Sequence, residues 1–517
     1  MSDRGRGCGA TARRLCSNPA VRRWGFAFAA LICAGLITAM PAGAATKRHP
    51  KPVAKAAPAG PTLPLGHSGR WITDAGGRVV ILHGTNMVDK LAPYYPAAAG
   101  FGPADAAFLK SIGFNAVRVG VLWQGLEPEP GVFNPFYLDE IKATVTMLAK
   151  AAIVSLLDFH QDLVNQEFGG EGWPSWAVQT GGLPNPDLSF DYDQEVNPAL
   201  QNAYDAFYAN AAGPNGIGLQ DYYTAAWEDT AAKFRGDSSV LGYEIMNEPW
   251  PGTLWETCLT TLGCPGVDRE LTTFYNRVVQ SIRSTDKRTL IFYEPASLFN
   301  DGVNTTIGGI DSSNIGFAFH DYCLVGGTNP VCDTQNSLVF DHALARVKTT
   351  GQALLETEFG ASDDTAYLRG LVSDADTDMV PWLEWAYCAC GDPTTVDSSE
   401  GIVDNPAKPL TGSNLITPTL EGLVEPYPQV ISGTPLHYAY NSSSHAFSFA
   451  YSTARAGSQS VFPARSVTQI ATPAMAYPHG YQVMIQGGSA VSKANASELL
   501  VASSPGVSTI DVSLTPR

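Results

Sequence analysis

Two apolar runs in the chain end in carboxylates, Gly242-Tyr-Glu-Ile-Met-Asn-Glu-Pro249 and Leu354-Leu-Glu-Thr-Glu-Phe-Gly360. Paired carboxylates at the ends of two buried strands are what cleavage of a glycosidic bond requires. One gives a proton to the leaving oxygen while the other attacks the sugar carbon, or activates a water to do so. Glu248 and Glu358 are the candidates, 110 residues apart in sequence. Their meeting in space depends on the fold.

Other apolar runs also close on polar groups. Eight strand-like runs are expected: Val79–Asn86, Asn115–Trp123, Ile153–His160, Val240–Glu248, Leu290–Pro295, Ile315–Tyr322, Ala353–Gly360 and Val380–Tyr387. Amphipathic segments such as Pro135–Ala151, Tyr222–Phe234, Arg269–Ser284 and Leu338–Thr349 fall between them. Alternating strands and helices imply parallel βαβ units, and eight of them fit a (β/α)8 TIM barrel with its active site at the C-terminal strand ends. Read from those ends, the second run carries Arg118, the third Asp158 and His160, and the fourth Asn247 and Glu248. The sixth carries His320 and Tyr322, the seventh Glu358, the eighth Trp385. A lone buried His or Arg is as readily an internal ion pair. A polar group at the same end of run after run is a catalytic constellation.

The rest of the chain frames this unit. Arg13, Arg14, Arg22 and Arg23 precede the apolar run Trp24–Met40 and the small-residue string Pro41-Ala-Gly-Ala-Ala45, the pattern of a secretory signal over residues 1–45. An uncleaved anchor is the rival reading, since the run's 17 residues approach a bilayer span; the Ala/Gly-rich end favours cleavage. Removing six Arg and one Asp takes the net charge from −17 to −22. So acidic a protein is a poor nucleic-acid binder. Residues 46–65 read as a Pro/Ala/Lys-rich linker, and residues 66–426 as the catalytic domain.

Six cysteines lie beyond the signal, as Cys258/Cys264, Cys323/Cys332 and Cys388/Cys390. In an exported protein an even count favours disulfides; six allow 15 connectivities. The local pairs 258–264 and 323–332 are the simplest choices. A 388–390 bridge is expected to be strained, leaving pairing between clusters open. No Cys cluster has a His at zinc-ligand spacing, so no metal and no cofactor are expected. Residues 427–517 turn to short strands between Gly, Pro, Ser and Thr, indicating a C-terminal β-sandwich. All ten Trp lie between residues 24 and 385. With no Trp platform for sugar rings, a structural cap is favoured over a carbohydrate-binding module.

Asn-Glu-Pro249, His320-x-Tyr322, Glu358-Phe-Gly360 and Trp385, in that order, resemble glycoside hydrolase family 5. Within it, Leu157-Asp-Phe-His-Gln-Asp162, the Gly-Glu-Gly172 loop, Phe292-Tyr-Glu-Pro295 and the appended sandwich are similar to the endoglycoceramidase group. The resemblance runs from about residue 65 to the end. It implies double displacement with retention, Glu358 as nucleophile and Glu248 as general acid, then base. A retaining pair sits roughly 5–5.5 Å apart. The resemblance also implies that Asn247 binds the sugar 2-hydroxyl, that Trp385 is the stacking floor, and that Lys90, Asp158 and His160 bind hydroxyls. Arg118 and Tyr322 keep the nucleophile ionised. One departure stands out: family members commonly carry Gly before the nucleophile, where this chain has Glu356-Thr357-Glu358. Glu356 as nucleophile is the alternative, disfavoured because Phe359-Gly360 marks the open end of the strand. Strand alternation places Glu356 on the Glu358 face, one step deeper, just as it places Glu244 below Glu248. Both are expected to be core partners of Arg118 or His83.

The implied substrate is a glycosphingolipid, cut between glucose or galactose and ceramide. An endo-β-1,4-glucanase or a β-glucosidase on other hydrophobic glucosides is the alternative; a non-catalytic glycan or lipid binder would not be expected to keep both carboxylates. The insertions Gln161–Asp193 and Trp250–Val267 carry Phe168, Trp173, Trp176, Leu254, Trp255, Leu259 and Leu262. They either form an apolar aglycone surface or pack the loops onto the barrel. The expected partners are a glycolipid or oligosaccharide and, transiently, a lipid micelle or membrane surface, with a monomer as the working form.

Overall fold

The computed structural model describes residues 60–188, 190–260, 263–323, 325–395 and 400–517. The expected signal segment, residues 1–45, and most of the expected linker lie outside the described residues. Eight parallel strands close into a barrel: β1 (His83–Met87), β2 (Ala116–Val121), β3 (Val154–Phe159), β4 (Val240–Glu244), β5 (Leu290–Tyr293), β6 (Ile315–Asp321), β7 (Ala353–Phe359) and β8 (Trp382–Glu384). Alternation sends Ala116, Leu156, Leu290, Phe292, Ala318, Ala353 and Leu355 into the lumen, where they form a buried apolar plug. The polar residues one or two steps further along each strand therefore emerge above it, at the C-terminal mouth.

The outer faces of the strands bury against helices. In helix Pro265–Thr285, Val267, Leu271, Phe274, Val278 and Ile282 recur at helical spacing and are all buried. Among the described residues no helix is long and apolar enough to cross a membrane.

Two of the expected strands end differently from the sequence reading. The run Val79–Asn86 is divided: Val79–Val80 pairs with Val430–Ile431, and only His83 onward joins the barrel. The fourth strand leaves the sheet at Glu244. Beyond it Ile245 N–H donates to the Phe292 carbonyl and Asn247 N–H to the Phe159 carbonyl, so Asn247 and Glu248 sit on a segment crossing the mouth. Glu248 itself has φ of +39°, the left-handed region that a side chain seldom occupies and that clusters at functional sites.

The C-terminal part is a sandwich of a seven-stranded and a four-stranded sheet. Three strands from before the barrel, Gly66–Ser68, Trp71–Thr73 and Val79–Val80, complete the larger sheet. That sheet thus contains a tryptophan after all, but the Arg70 guanidinium covers the Trp71 ring at 4.0 Å. Tyr427 stacks on His83 at 3.6 Å, and His83 on Trp382 at 4.1 Å. The two β units are thereby joined beneath the last barrel strand. Among the described residues three disulfides link local pairs, 258–264, 323–332 and also 388–390, so none of the three clusters is bridged to another.

Candidate active site

Arg118 is the hub of the mouth. Its side chain is wholly buried, and its fixed fork of donors reaches six groups, Glu294 among them. Nε donates to Glu244 and Nη1 to Glu358 and to Asn86 Oδ1 (3.1 Å); Nη2 donates to Asn247 Oδ1 (2.7 Å) and lies 3.1 Å from Asp158. Burial alone would lower the guanidinium's pKa, but the surrounding charges of Asp158, Glu244 and Glu358 raise it. The cation is locked in place.

Above this hub the two carboxylates face each other. One oxygen each of Glu248 and Glu358 and a ring nitrogen of His320 all lie within 4.8 Å of one another. His320 Nδ1 is 2.7 Å from Glu248 Oε1 and 3.6 Å from Glu358 Oε2. Asn300 Nδ2 also donates to Glu248 Oε1, at 2.7 Å. With that oxygen accepting, a proton on neutral Glu248 belongs on Oε2. Burial pushes the Glu248 carboxyl up to about 7, helped by the charge of Asp162 and opposed by the Asn300 hydrogen bond. Burial also raises Glu358, but here the nearby His320 ring and the Arg118 guanidinium oppose it, and the Tyr322 hydroxyl donates at 3.1 Å. Glu358, unlike Glu248, thus has a guanidinium and a phenol hydroxyl donating directly to its oxygens, and both favour its ionised form.

The bulge on β7 changes the expected place of Glu356. Glu356 pairs with Phe319 and Glu358 with His320, so two residues of β7 advance against one of β6. Thr357 and Glu358 therefore both face the lumen, where Thr357 Oγ1 donates to Glu244 Oε1 at 2.9 Å. Glu356 points the other way, towards the charges of Asp321 and Asp374. Glu244 is the barrel-core partner of Arg118, as expected; Glu356 is not. His83 likewise faces outward, stacked between Trp382 and Tyr427.

All ten candidate residues from the sequence converge on the mouth, at two depths. Lys90, Glu248, Tyr322, Glu358 and Trp385 line a cavity of about 410 Å³. Arg118, Asp158, His160, Asn247 and His320 are buried beneath it. The His160 ring stacks under Trp385 (5.2 Å, 14°) and holds Asp158 Oδ2 at 2.7 Å through Nδ1. Burial works to lower its pKa, but Asp158 and Asp162 raise it to about 10. Lys90 Nζ lies 4.5 Å over the Trp385 ring and 2.5 Å from Asp162, 2.7 Å from Asp392 and 2.7 Å from Thr394. His160, Asp162 and Glu171 also offer ligand atoms within 4.8 Å of one another. The Lys90 ammonium already occupies the cation's place there.

Several site residues escaped the sequence reading. Glu294 accepts the Glu248 backbone N–H at 3.1 Å and lies 3.4 Å from Arg118. Its signal was its position after Leu290 and Phe292 in period-two alternation on β5. Asn300 and Asp301 lie on the single 3-10 turn Ser297–Asp301, and Asp392 and Thr394 on a loop; neither segment has a periodicity to signal them.

Residues 74–391 match the family model for cellulase (glycosyl hydrolase family 5), and residues 426–512 match the glycoside hydrolase family 5 C-terminal domain. The chain is 28% identical over 454 residues to endoglycoceramidase I of Rhodococcus hoagii, covering 84% of this chain and 85% of that protein. It is also 28% identical over 409 residues to an endoglycoceramidase of Cyanea nozakii, covering 74% and 79%. In fold it is similar to endo-glycoceramidase II from Rhodococcus sp., solved as a lactosyl-enzyme intermediate. The TM-score is 0.70 at 24% identity, with 86% of this chain and 99% of that one covered.

Proposed function

The chain belongs to glycosyl hydrolase family 5 and is an O-glycosyl hydrolase, and from that premise we propose that it is a secreted, retaining glycosidase cleaving the bond between glycan and ceramide. The observation that carries the reading is that one oxygen of Glu248, one of Glu358 and a ring nitrogen of His320 lie within 4.8 Å of one another. That approach supports a retaining pair, whose carboxyl groups sit roughly 5–5.5 Å apart against roughly 6.5–9.5 Å in an inverting one.

In the first step Glu358 attacks the anomeric carbon, the bond to the leaving oxygen breaks, and Glu248 gives its proton to that oxygen. A glycosyl ester on Glu358 results. In the second step Glu248, now ionised, takes a proton from water, the water oxygen attacks the same carbon, and Glu358 is released. Arg118 and Tyr322 hold Glu358 ready for attack. Asn247, tied by Oδ1 to Arg118 and by Nδ2 to the Gln161 carbonyl, keeps a second N–H for the sugar 2-hydroxyl. Trp385, stacked on His160 and in contact with Lys90, is the sugar's floor.

The lipid reading is supported by the similarity to endoglycoceramidases and by the apolar residues of the loops. Phe168 and Trp173 are buried and pack those loops onto the barrel. Phe190 and Trp250 face the cavity, while Leu188, Tyr192 and Leu259 are exposed on the two insertions. A monomer that touches a micelle or membrane transiently fits this distribution, and the leader pattern of residues 1–45 supports export. Incubation with glycosphingolipids and soluble glucans tests the reading by product mass. Intact oligosaccharide plus ceramide supports it. Cello-oligosaccharides from glucan, with glycolipids left intact, refute it in favour of an endoglucanase.

A further inference from the structure

Glu248 on the β4 side and Glu358 on β7 divide the barrel mouth into two arcs. One arc runs through β8, β1, β2 and β3, and the other through β5 and β6. The first arc supplies Trp385, Lys90, Asp162, Asp392 and Thr394, a ring platform beside charged and hydroxyl groups, which is what a sugar needs. The second arc supplies Ser297, Asn300 and Asp301 after β5 and Cys323 after β6, with Trp250 beside them. Helix Phe190–Val196 reaches over to this side, since Asp301 feels the charge of Glu195. The leaving group therefore lies against the second arc.

Asp301 is the one carboxylate that this second arc adds to the cavity wall, and it lacks a complement. Among the described residues no group donates to its carboxyl, and the charges it senses, Glu248 and Glu195, are both negative. Its neighbour Asn300 is engaged by Glu248. Burial and those two charges raise the Asp301 pKa to about 7, the behaviour of an acid whose donor is not supplied by the protein. A half-buried acceptor without a protein donor, on a leaving-group surface that mixes Phe190 and Trp250 with Gln194, Ser297 and Asn300, selects for a ligand that brings a donor.

We propose that Asp301 is a specificity-determining residue whose carboxylate accepts a hydrogen bond from an amide, ammonium or hydroxyl group of the leaving group, one or two carbons from the scissile oxygen. A 2-amido-3-hydroxyalkyl leaving group presents such donors; a plain alkyl or steryl group does not. The proposal rests on the hydrolytic reading of Glu248 and Glu358, but not on the leaving group being ceramide.

The test uses a matched pair of β-glycosides of glucose, galactose or lactose, whichever the enzyme hydrolyses fastest as an aryl glycoside. One carries a 2-acylamino-3-hydroxyalkyl leaving group and the other a plain alkyl group of equal length; a third, with a free 2-amine, separates ammonium from amide. The readout is the ratio of kcat/KM between partners. Asp301→Leu is expected to lower the donor-bearing to plain ratio by about tenfold or more, and Asp301→Asn, which keeps one oxygen acceptor, by less. A ratio unchanged in both variants overturns the proposal, whatever the absolute rates. If the Leu variant does not fold, the Asn ratio alone decides. Wild-type failure on glycosphingolipids, with the matched-pair ratio still dependent on Asp301, would remove the ceramide reading and leave this inference standing.

Discussion

His320 Nδ1 stands 2.7 Å from Glu248 Oε1, and burial lowers the His320 pKa so that the ring is neutral beside the acid. The ring proton must then lie on Nδ1 to serve that contact. Glu248 is in this way oriented by a group that cannot take its proton, which leaves the Oε2 proton for the substrate.

Removal of the acid should separate the two steps. Glu248→Ala is expected to lower kcat/KM on lipid or alkyl glycosides by about 10²–10⁴-fold. A dinitrophenyl glycoside needs no protonation of its leaving group, so its first step survives. Azide should then accelerate turnover and give the β-glycosyl azide; the α-azide, or no rescue, would speak against Glu248 as acid/base.

The activity profile follows from the direction of the shifts. Glu248 must be protonated, so activity falls as pH rises through about 7. Glu358 must be ionised, so activity falls again on the acid side. The limbs report the pair as a unit. Because the Asp162 charge helps raise Glu248, Asp162→Asn should move the basic limb to lower pH. A limb that stays put or moves up would contradict this assignment.

Arg118→Lys should be severe despite conserving charge. A single ammonium cannot reproduce the fork to Glu244, Glu358 and Asn247. Leaving buried carboxylates unpaired costs about 3–5 kcal/mol, which denaturant unfolding measures. With less positive charge placed against Glu358, the acid limb of the activity profile should also move to higher pH.

How much of this was legible in the sequence differs by element. The barrel was readable because each strand run is long and apolar, and the catalytic pair because each carboxylate closes such a run. The register of Glu356 was not readable: one β-bulge at Thr357 breaks the period-two rule, and no residue type announces it. Val79–Val80 was drawn to the barrel by its apolar continuity with Ile81 and Leu82, whereas its pairing partner, Val430–Ile431, lies 350 residues on. Asn300 and Asp301 are fixed by a single 3-10 turn, Ser297–Asp301, too short for periodicity to encode.

The outward-facing Glu356 has its own consequence. Burial raises Glu356 well above the usual carboxylate range and Asp321 to about 8, and the two lie close enough to feel one another. An acid raised in the folded state contributes stability that is full below its ordinary pKa and is lost as pH rises through the folded value. The melting temperature should therefore fall between about pH 5 and 8. Glu356→Gln should flatten that fall without moving the pH limbs of activity; an equally steep fall would contradict the assignment.

The central claim is that Glu358 carries the sugar between the two steps. It is tested most directly by reaction with a 2-deoxy-2-fluoro glycoside bearing a good leaving group, followed by peptide mass mapping. One sugar per protein on Glu358, released with retained anomeric configuration, is the predicted result. A label on Glu248 or Glu356, or a first-formed product of inverted configuration, would contradict it.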